Sequence, residues 1–154
     1  MSNKPIIIIR HFTAKDADAF VELCQLHAIY EKEAYNADGK AALAKKRFLA
    51  ENPPAYCLIV ELDEVIIGYC TYMKQFCSWD LDYYLFLDCL FLTEKARGKG
   101  IGQRIMQQLI NTAKEWQCFA VQWQTPSFNE GAIRFYKRLG GSSVSKERFL
   151  LMVE

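Results

Sequence analysis

Apolar positions along this chain follow two periods. Phe20, Leu23, Cys24, His27 and Ala28 recur every three or four residues, which predicts a helix running to about Tyr30. Thr13-Ala14-Lys15-Asp16 stands before it and reads as a capping box with Asp in the place of Glu. A second, shorter helix is predicted over about Lys40–Ala50, stopped by Asn52-Pro53-Pro54. Residues 5–11, with the run Ile6-Ile7-Ile8-Ile9, read as a buried strand. Tyr56–Leu62, Val65–Lys74 and Tyr83–Leu92 are β-branched and aromatic runs with short connections, the first two around a hairpin signal at Asp63-Glu64. They predict an antiparallel meander. The order then changes to a Gly-rich loop, a helix over about Gly100–Trp116, a strand over Cys118–Gln124, a helix over about Asn129–Leu139 and a last strand over Val144–Val153. With no repeat, low-complexity segment or linker, residues 1–154 read as a single domain of mixed α/β class.

Composition narrows the function. Half of the 154 residues are apolar, and 19 Lys plus Arg against 18 Asp plus Glu leave a formal charge of +1. That balance disfavours a nucleic-acid binder, which shows a strongly basic face. No apolar run is long enough for a membrane-spanning helix, and Met1-Ser2-Asn3-Lys4-Pro5 lacks a signal-peptide pattern, so a cytoplasmic protein is expected. The six cysteines show no C-x-x-C spacing and sit in no pattern with His11 or His27, so no metal is expected. They read as reduced thiols that pack as small hydrophobes.

The chemistry concentrates in Leu90-Phe91-Leu92-Thr93-Glu94-Lys95-Ala96-Arg97-Gly98-Lys99-Gly100-Ile101-Gly102, where a predicted strand runs through three alternating glycines into a helix. Glycine tolerates positive φ and leaves backbone N–H groups unshielded. At a helix N-terminus those groups form an anion site, and Arg97 and Lys99 add fixed positive charge. The ligand such a loop suits is a phosphate or pyrophosphate. Walker A is absent, and the glycines run G-x-G-x-G rather than G-x-G-x-x-G, so neither ATP nor NAD is favoured. A tight, basic strand-to-helix turn accounts for the same string without a ligand.

Arg97-Gly98-Lys99-Gly100-Ile101-Gly102 also resembles the acetyl-CoA loop of GNAT acetyltransferases, written [Q/R]-x-x-G-x-[G/A]. Downstream, Asn129-Glu130-Gly131-Ala132-Ile133-Arg134-Phe135-Tyr136-Lys137-Arg138-Leu139-Gly140 is similar to a second hallmark of that family, N-x-x-A-x-x-F-Y-x-x-x-G, at every named position. An ordinary amphipathic helix explains the aromatics of that segment, but not the loop 30 residues earlier. The resemblance covers about Leu85–Gly141. It implies a GNAT-like fold: a central, mostly antiparallel sheet of six or seven strands with a splayed parallel pair, flanked by about four helices. It also implies acetyl-CoA as acetyl donor. The pantetheine arm would pair with backbone near Leu90 and Leu92, and the pyrophosphate would sit on the amides of Arg97, Gly98, Lys99, Gly100, Ile101 and Gly102. Asn129 would contact the cofactor arm, and Tyr136 would stand near the sulfur.

Acetyl transfer needs a neutral amine, a donor for the carbonyl oxygen and a proton for the leaving thiolate. A backbone N–H near Leu90 suits the second need and Tyr136 the third. Asp88 is the expected base, because a carboxylate inside the apolar run Leu85–Leu92 is costly without a role or partner. Pairing with a polar neighbour, or a strand bulge, explains Asp88 equally simply. More closely, the chain resembles the spermidine/spermine and thialysine N-acetyltransferase branch, on Ala28-Ile29-Tyr30-Glu31, Ser78-Trp79-Asp80 and Phe135-Tyr136-Lys137-Arg138. Where that branch carries a Glu nine residues before the loop Arg, this chain has Asp88, and the branch's following acid is Cys89 here. Glu31, Glu33, Asp80 and Asp82 are the other acids that could bind a polycation, and Trp79 could hold an alkylammonium by cation–π contact. A solvated helix end explains Glu31 and Glu33, and a core or interface position explains Trp79. The expected substrate is a small amine, and the resemblance together with apolar Phe149-Leu150-Leu151-Met152-Val153 suggests a homodimer. A GNAT acting on another amine, a non-catalytic acetyl-CoA-binding dimer module and an unrelated phosphate-binding domain stand as alternatives.

Overall fold

Five strands hydrogen-bond into one sheet whose order follows the chain: β1 (Ile7–His11), β2 (Tyr56–Leu62), β3 (Val65–Cys77), β4 (Asp82–Leu92) and β5 (Val121–Trp123). The first four pair antiparallel, and β5 pairs parallel with β4. Four α-helices accompany them: α1 (Ala17–Glu31), α2 (Lys40–Phe48), α3 (Ile101–Glu115) and α4 (Glu130–Arg138). This computed structural model describes residues 3–154. They form two units, one ending at Gln124 and a smaller one spanning Thr125–Glu154.

Most elements lie within a few residues of the sequence reading. The β2–β3 turn at Asp63-Glu64 is a two-residue hairpin with positive φ at both positions (49° and 68°), the twist that suits a tight hairpin. The strand expected over Val144–Val153 is a correction: this segment forms no strand, and the sheet has five strands rather than six or seven. Phe149, Leu150, Leu151, Met152 and Val153 are all exposed. An apolar run is a strand only when a neighbouring edge takes its N–H and C=O groups, and no described strand pairs with this one.

Both faces of the sheet are covered in the larger unit. Phe12, Ala17, Leu23, Ala44, Cys57, Ile59, Tyr69 and Phe91 form one buried cluster under α1 and α2. Phe20 packs edge-on against Tyr69, Phe12 and Phe48. On α3, Ile101, Ile105, Met106, Leu109 and Ala113 are buried at helical spacing, and the helix packs on β4 and β5.

A buried charge ties the start of α1 to the sheet. Asp16 is 2% exposed and accepts two bonds from Arg10, at 2.7 and 2.8 Å. Its carboxylate also accepts from the Thr13 amide at 2.7 Å, one arm of the expected capping box. Arg10 reaches Glu61 at 2.6 Å as well, so one guanidinium joins β1, β2 and the entry to α1. The Arg10 bonds hold Asp16 below the usual carboxylate range. A depressed folded pKa stabilises the fold above the unfolded value of about 3.9, and that stability is lost as pH falls further. Asp16→Asn is expected to cost about 2–3 kcal/mol at neutral pH. That corresponds to a melting point lower by about 5–10 °C. Thermal melts from pH 7 to pH 3 check this: the gap between wild type and variant should close below about pH 4.

Candidate active site

The site is built around one irregularity in β4. Pairing with β3 runs Leu85, Phe86, Leu87 against Lys74, Met73, Tyr72, then resumes with Cys89 opposite Thr71, so Asp88 is an extra residue in a β-bulge. A bulge bends its strand and shifts the alternation of faces. Leu85 and Leu87 precede it, and Leu90 follows opposite buried Cys70. On the other side, β4 pairs with β5 only through Leu85, Phe86 and Leu87. The parallel ladder therefore stops where the bulge begins. Thr93 donates to Ile67 of β3 at 2.9 Å. By the alternation of a strand, the amides of Leu90 and Leu92 then face away from β3, along the edge β5 has left.

Asp88 is exposed at this bulge. The desolvation argument for its importance is therefore corrected: the extra residue turns the carboxylate into solvent, so no burial cost demands a role. Cys89 instead points into the cluster under α1, and burial pushes its thiol up to about 12. It remains neutral and adds no charge to replace an acid. All six cysteines are free thiols, and each thiol with a resolved shift is raised, with burial the leading cause.

After β4 the chain makes a short turn at Glu94–Ala96, anchored by buried Ala96, and enters the glycine loop. Gly98 and Gly100 sit at φ +73° and +72°, and a Cβ at either would meet nothing within 4 Å. Glycine is needed there for its backbone conformation, and the space above the loop is open. Gly100 caps α3, whose first amides have no partner inside the helix. Lys99 and Arg97 are exposed. The Arg97 guanidinium donates to Leu92 O at 3.3 Å and lies 5.0 Å from the centre of the Tyr30 ring, which links the loop to α1. An open turn of backbone N–H groups at a helix start, flanked by two cations, suits a pyrophosphate.

The C-terminal end of α1 reaches the same part of β4. Tyr30 lies 6.4 Å from Phe91, and His27 stacks on Phe91 at 5.1 Å. Glu31, the last residue of α1, is bonded to His27 at 3.1 Å, and Glu33 is exposed just beyond. Trp79, Asp80 and Asp82 lie elsewhere, at the tip of the β3–β4 hairpin, where Trp79 is 97% exposed. Asp82 and Asp88 are separated along β4 by about 20 Å, at a rise of about 3.3 Å per residue. One chain thus gathers Asp88, Leu90, Leu92, the loop and Glu31 at one end of β4, and leaves the hairpin-tip residues at the other.

In the smaller unit Asn129 caps α4, its side chain accepting from Ala132 N at 3.3 Å and donating to Thr125 Oγ1 at 3.3 Å. Tyr136 lies in the last turn of the helix, its ring 5.3 Å from that of Phe135. Gly140, at φ +94°, ends the helix.

The sequence reading missed Gly68. A Cβ there would lie 2.7 Å from Phe91 O and 2.5 Å from Leu92 Cδ2, so only glycine lets β3 lie this close to the splayed half of β4. A lone glycine inside a β-branched run was the available signal.

Residues 20–141 match the acetyltransferase (GNAT) family. A human spermidine/spermine N(1)-acetyltransferase-like protein 1 is 26% identical over 90% of this chain, which spans 21% of that protein's length. Bos taurus thialysine N-epsilon-acetyltransferase is 24% identical, covering 91% of this chain and 86% of that protein. The aminoglycoside N-acetyltransferase AAC(6')-Iy, solved in complex with CoA, superposes with a TM-score of 0.80 at 15% identity, over 99% of this chain and 98% of that one. Gly100→Ala puts a side chain at φ +72°, a strain of about 1–2 kcal/mol. It is expected to weaken CoA binding about tenfold in titration calorimetry, since the loop's amides turn with it.

Proposed function

Because the chain belongs to the acetyltransferase (GNAT) family and is an acetyl-CoA-dependent N-acetyltransferase, we propose that it acetylates a primary amine of a small polycation, polyamine- or thialysine-like, by direct attack in a ternary complex. The observation that carries the reading is the end of the β4–β5 ladder at the Asp88 bulge, which leaves the edge of Leu90 and Leu92 unpaired by β5 directly upstream of the glycine turn. Acetyl-CoA fits this arrangement. The backbone of Leu90 and Leu92 offers donors and acceptors to its pantetheine amides, and the N–H groups of Arg97–Gly102 suit its pyrophosphate. Asn129 would meet the arm. When bound, acetyl-CoA supplies an acyl group activated as a thioester.

The chain's own groups then divide the remaining work. Asp88, exposed at the bulge, accepts the proton of the ammonium directly or through water, leaving a neutral nucleophile. The Leu90 N–H is a fixed donor for the oxygen on which negative charge grows. The Tyr136 hydroxyl holds a proton for the departing sulfur. Glu31 and Glu33 hold a second cationic centre of the substrate. Asp80, Asp82 and Trp79, at the tip of the β3–β4 hairpin, stand too far from Asp88 to act in the same chain's site, so Glu31 carries more of the recognition. The exposed apolar residues Val144 and Phe149–Val153 support a homodimer.

Thiol release from acetyl-CoA is expected with spermidine, spermine or thialysine and not with neutral-tailed amines. Turnover confined to an aminoglycoside or a peptide would overturn the substrate class. Tyr136→Phe should lower kcat about 10²-fold with CoA affinity held within twofold. Asp88→Asn should lower kcat similarly and flatten the acidic limb of the pH–rate profile. Light scattering on a sizing column should return twice 17.8 kDa, and a monomer at micromolar concentration would remove the dimer.

A further inference from the structure

His27 is half hidden in the α1 face, and neither the cofactor site nor the acid–base chemistry uses it. Its surroundings are built on every side. Nδ1 lies 2.6 Å from the hydroxyl of Tyr69, which is 2% exposed. The ring stacks on Phe91 with an interplanar angle of 20°. Nε2 lies 3.1 Å from Oε1 of Glu31, one turn on. We propose that His27 is a positioning residue for amine recognition, holding the Glu31 carboxylate fixed at the splayed end of β4 so that it meets the substrate's cation. The inference rests on the reading that Glu31 binds the substrate.

The hydrogen-bond directions follow from Glu31. A carboxylate only accepts, so in this bond the proton sits on Nε2 and is donated to Oε1. In that tautomer Nδ1 is the acceptor that faces the Tyr69 hydroxyl. The ring is thus backed by Tyr69 from the buried side, and holds the carboxylate on the exposed side. Glu31 needs such a donor, because an acidic side chain in the last turn of a helix faces the negative end of the helix dipole. Its side chain is 32% exposed, and a carboxylate has acceptor capacity beyond the one bond to His27. Stacking on Phe91 joins the pair to the half of β4 that follows the bulge, and the neighbouring Tyr30 lies under Arg97 of the loop. An unfixed Glu31 would have to lose its side-chain freedom on binding.

The test compares His27→Phe, Tyr69→Phe, Glu31→Gln and the double variant His27→Phe/Glu31→Gln. Their melting points are checked, and kcat, KM and calorimetric Kd are measured with spermidine. His27→Phe keeps a ring against Phe91 and removes both nitrogens. Tyr69→Phe removes only the hydroxyl, and stands in if His27→Phe does not fold. Glu31→Gln is expected to raise KM for spermidine about tenfold, His27→Phe about fivefold and Tyr69→Phe about twofold, with kcat and the acetyl-CoA KM within twofold. The double variant should match Glu31→Gln alone, because His27 acts through Glu31. If Glu31→Gln raises KM while His27→Phe and Tyr69→Phe do not, or if the single effects multiply in the double variant, the His27 proposal is overturned and the Glu31 reading stands. If wild type binds no spermidine, or Glu31→Gln leaves KM unchanged, the Glu31 reading fails and the inference fails with it.

Discussion

One extra residue in β4 governs the arrangement of this protein. Asp88 has no partner position on β3, and its insertion does two things at once. It shifts the alternation, so Leu85 and Leu87 are followed on their face by Leu90 rather than Cys89. It also stands where the ladder with β5 ends, at Leu87 opposite Trp123. The bulge thus falls between the part of β4 that pairs with β5 and the part that does not.

Rigid support on both faces makes that irregularity tolerable. Leu58, Ile59, Val60, Cys70 and Leu85 are sealed from solvent behind the bulge, and Gly68 lets β3 approach where a Cβ would strike Phe91 and Leu92. The Arg10–Asp16–Glu61 group fixes where α1 begins. The Tyr69–His27–Glu31 contacts and the stacking of Tyr30 and His27 around Phe91 fix where it ends. The helix is held at both ends by polar or stacked contacts, and its apolar face fills the space between.

The distribution of charge follows from the same geometry. Burial keeps the Cys70 and Cys89 thiols protonated and neutral, so the position after Asp88 presents no second negative charge. Asp88 on the bulge, Glu31 and Glu33 at the end of α1, and Glu94 in the turn after β4 are the acids near that end of the strand. Cations surround the turn at Gly98 and Gly100. Positive groups at the helix start suit an anionic ligand.

Much of this was legible in the chain itself. Periodicity placed four helices and five strands within a few residues, because apolar spacing reports which face an element buries. The glycine pattern marked the turn at α3, since only glycine sits easily at φ near +70°, and Asn129 and Gly140 marked the ends of α4 by local capping. The apolar run Val144–Val153 misled, because a strand exists only through a partner's hydrogen bonds and local sequence does not name the partner. Asp88 left two readings open, a costly buried carboxylate or a strand bulge, because alternation alone cannot decide whether one residue has been added to a ladder; the pairing with β3 decides for the bulge. Trp79 and Asp80 joined the site residues through resemblance, although the length of a hairpin carries them to its far tip. The elements and the turn were determined by short-range physics in the sequence. Which carboxylates share one end of β4, and that His27 holds one of them, was decided by contacts between residues such as 27 and 69, which only the folded chain brings together.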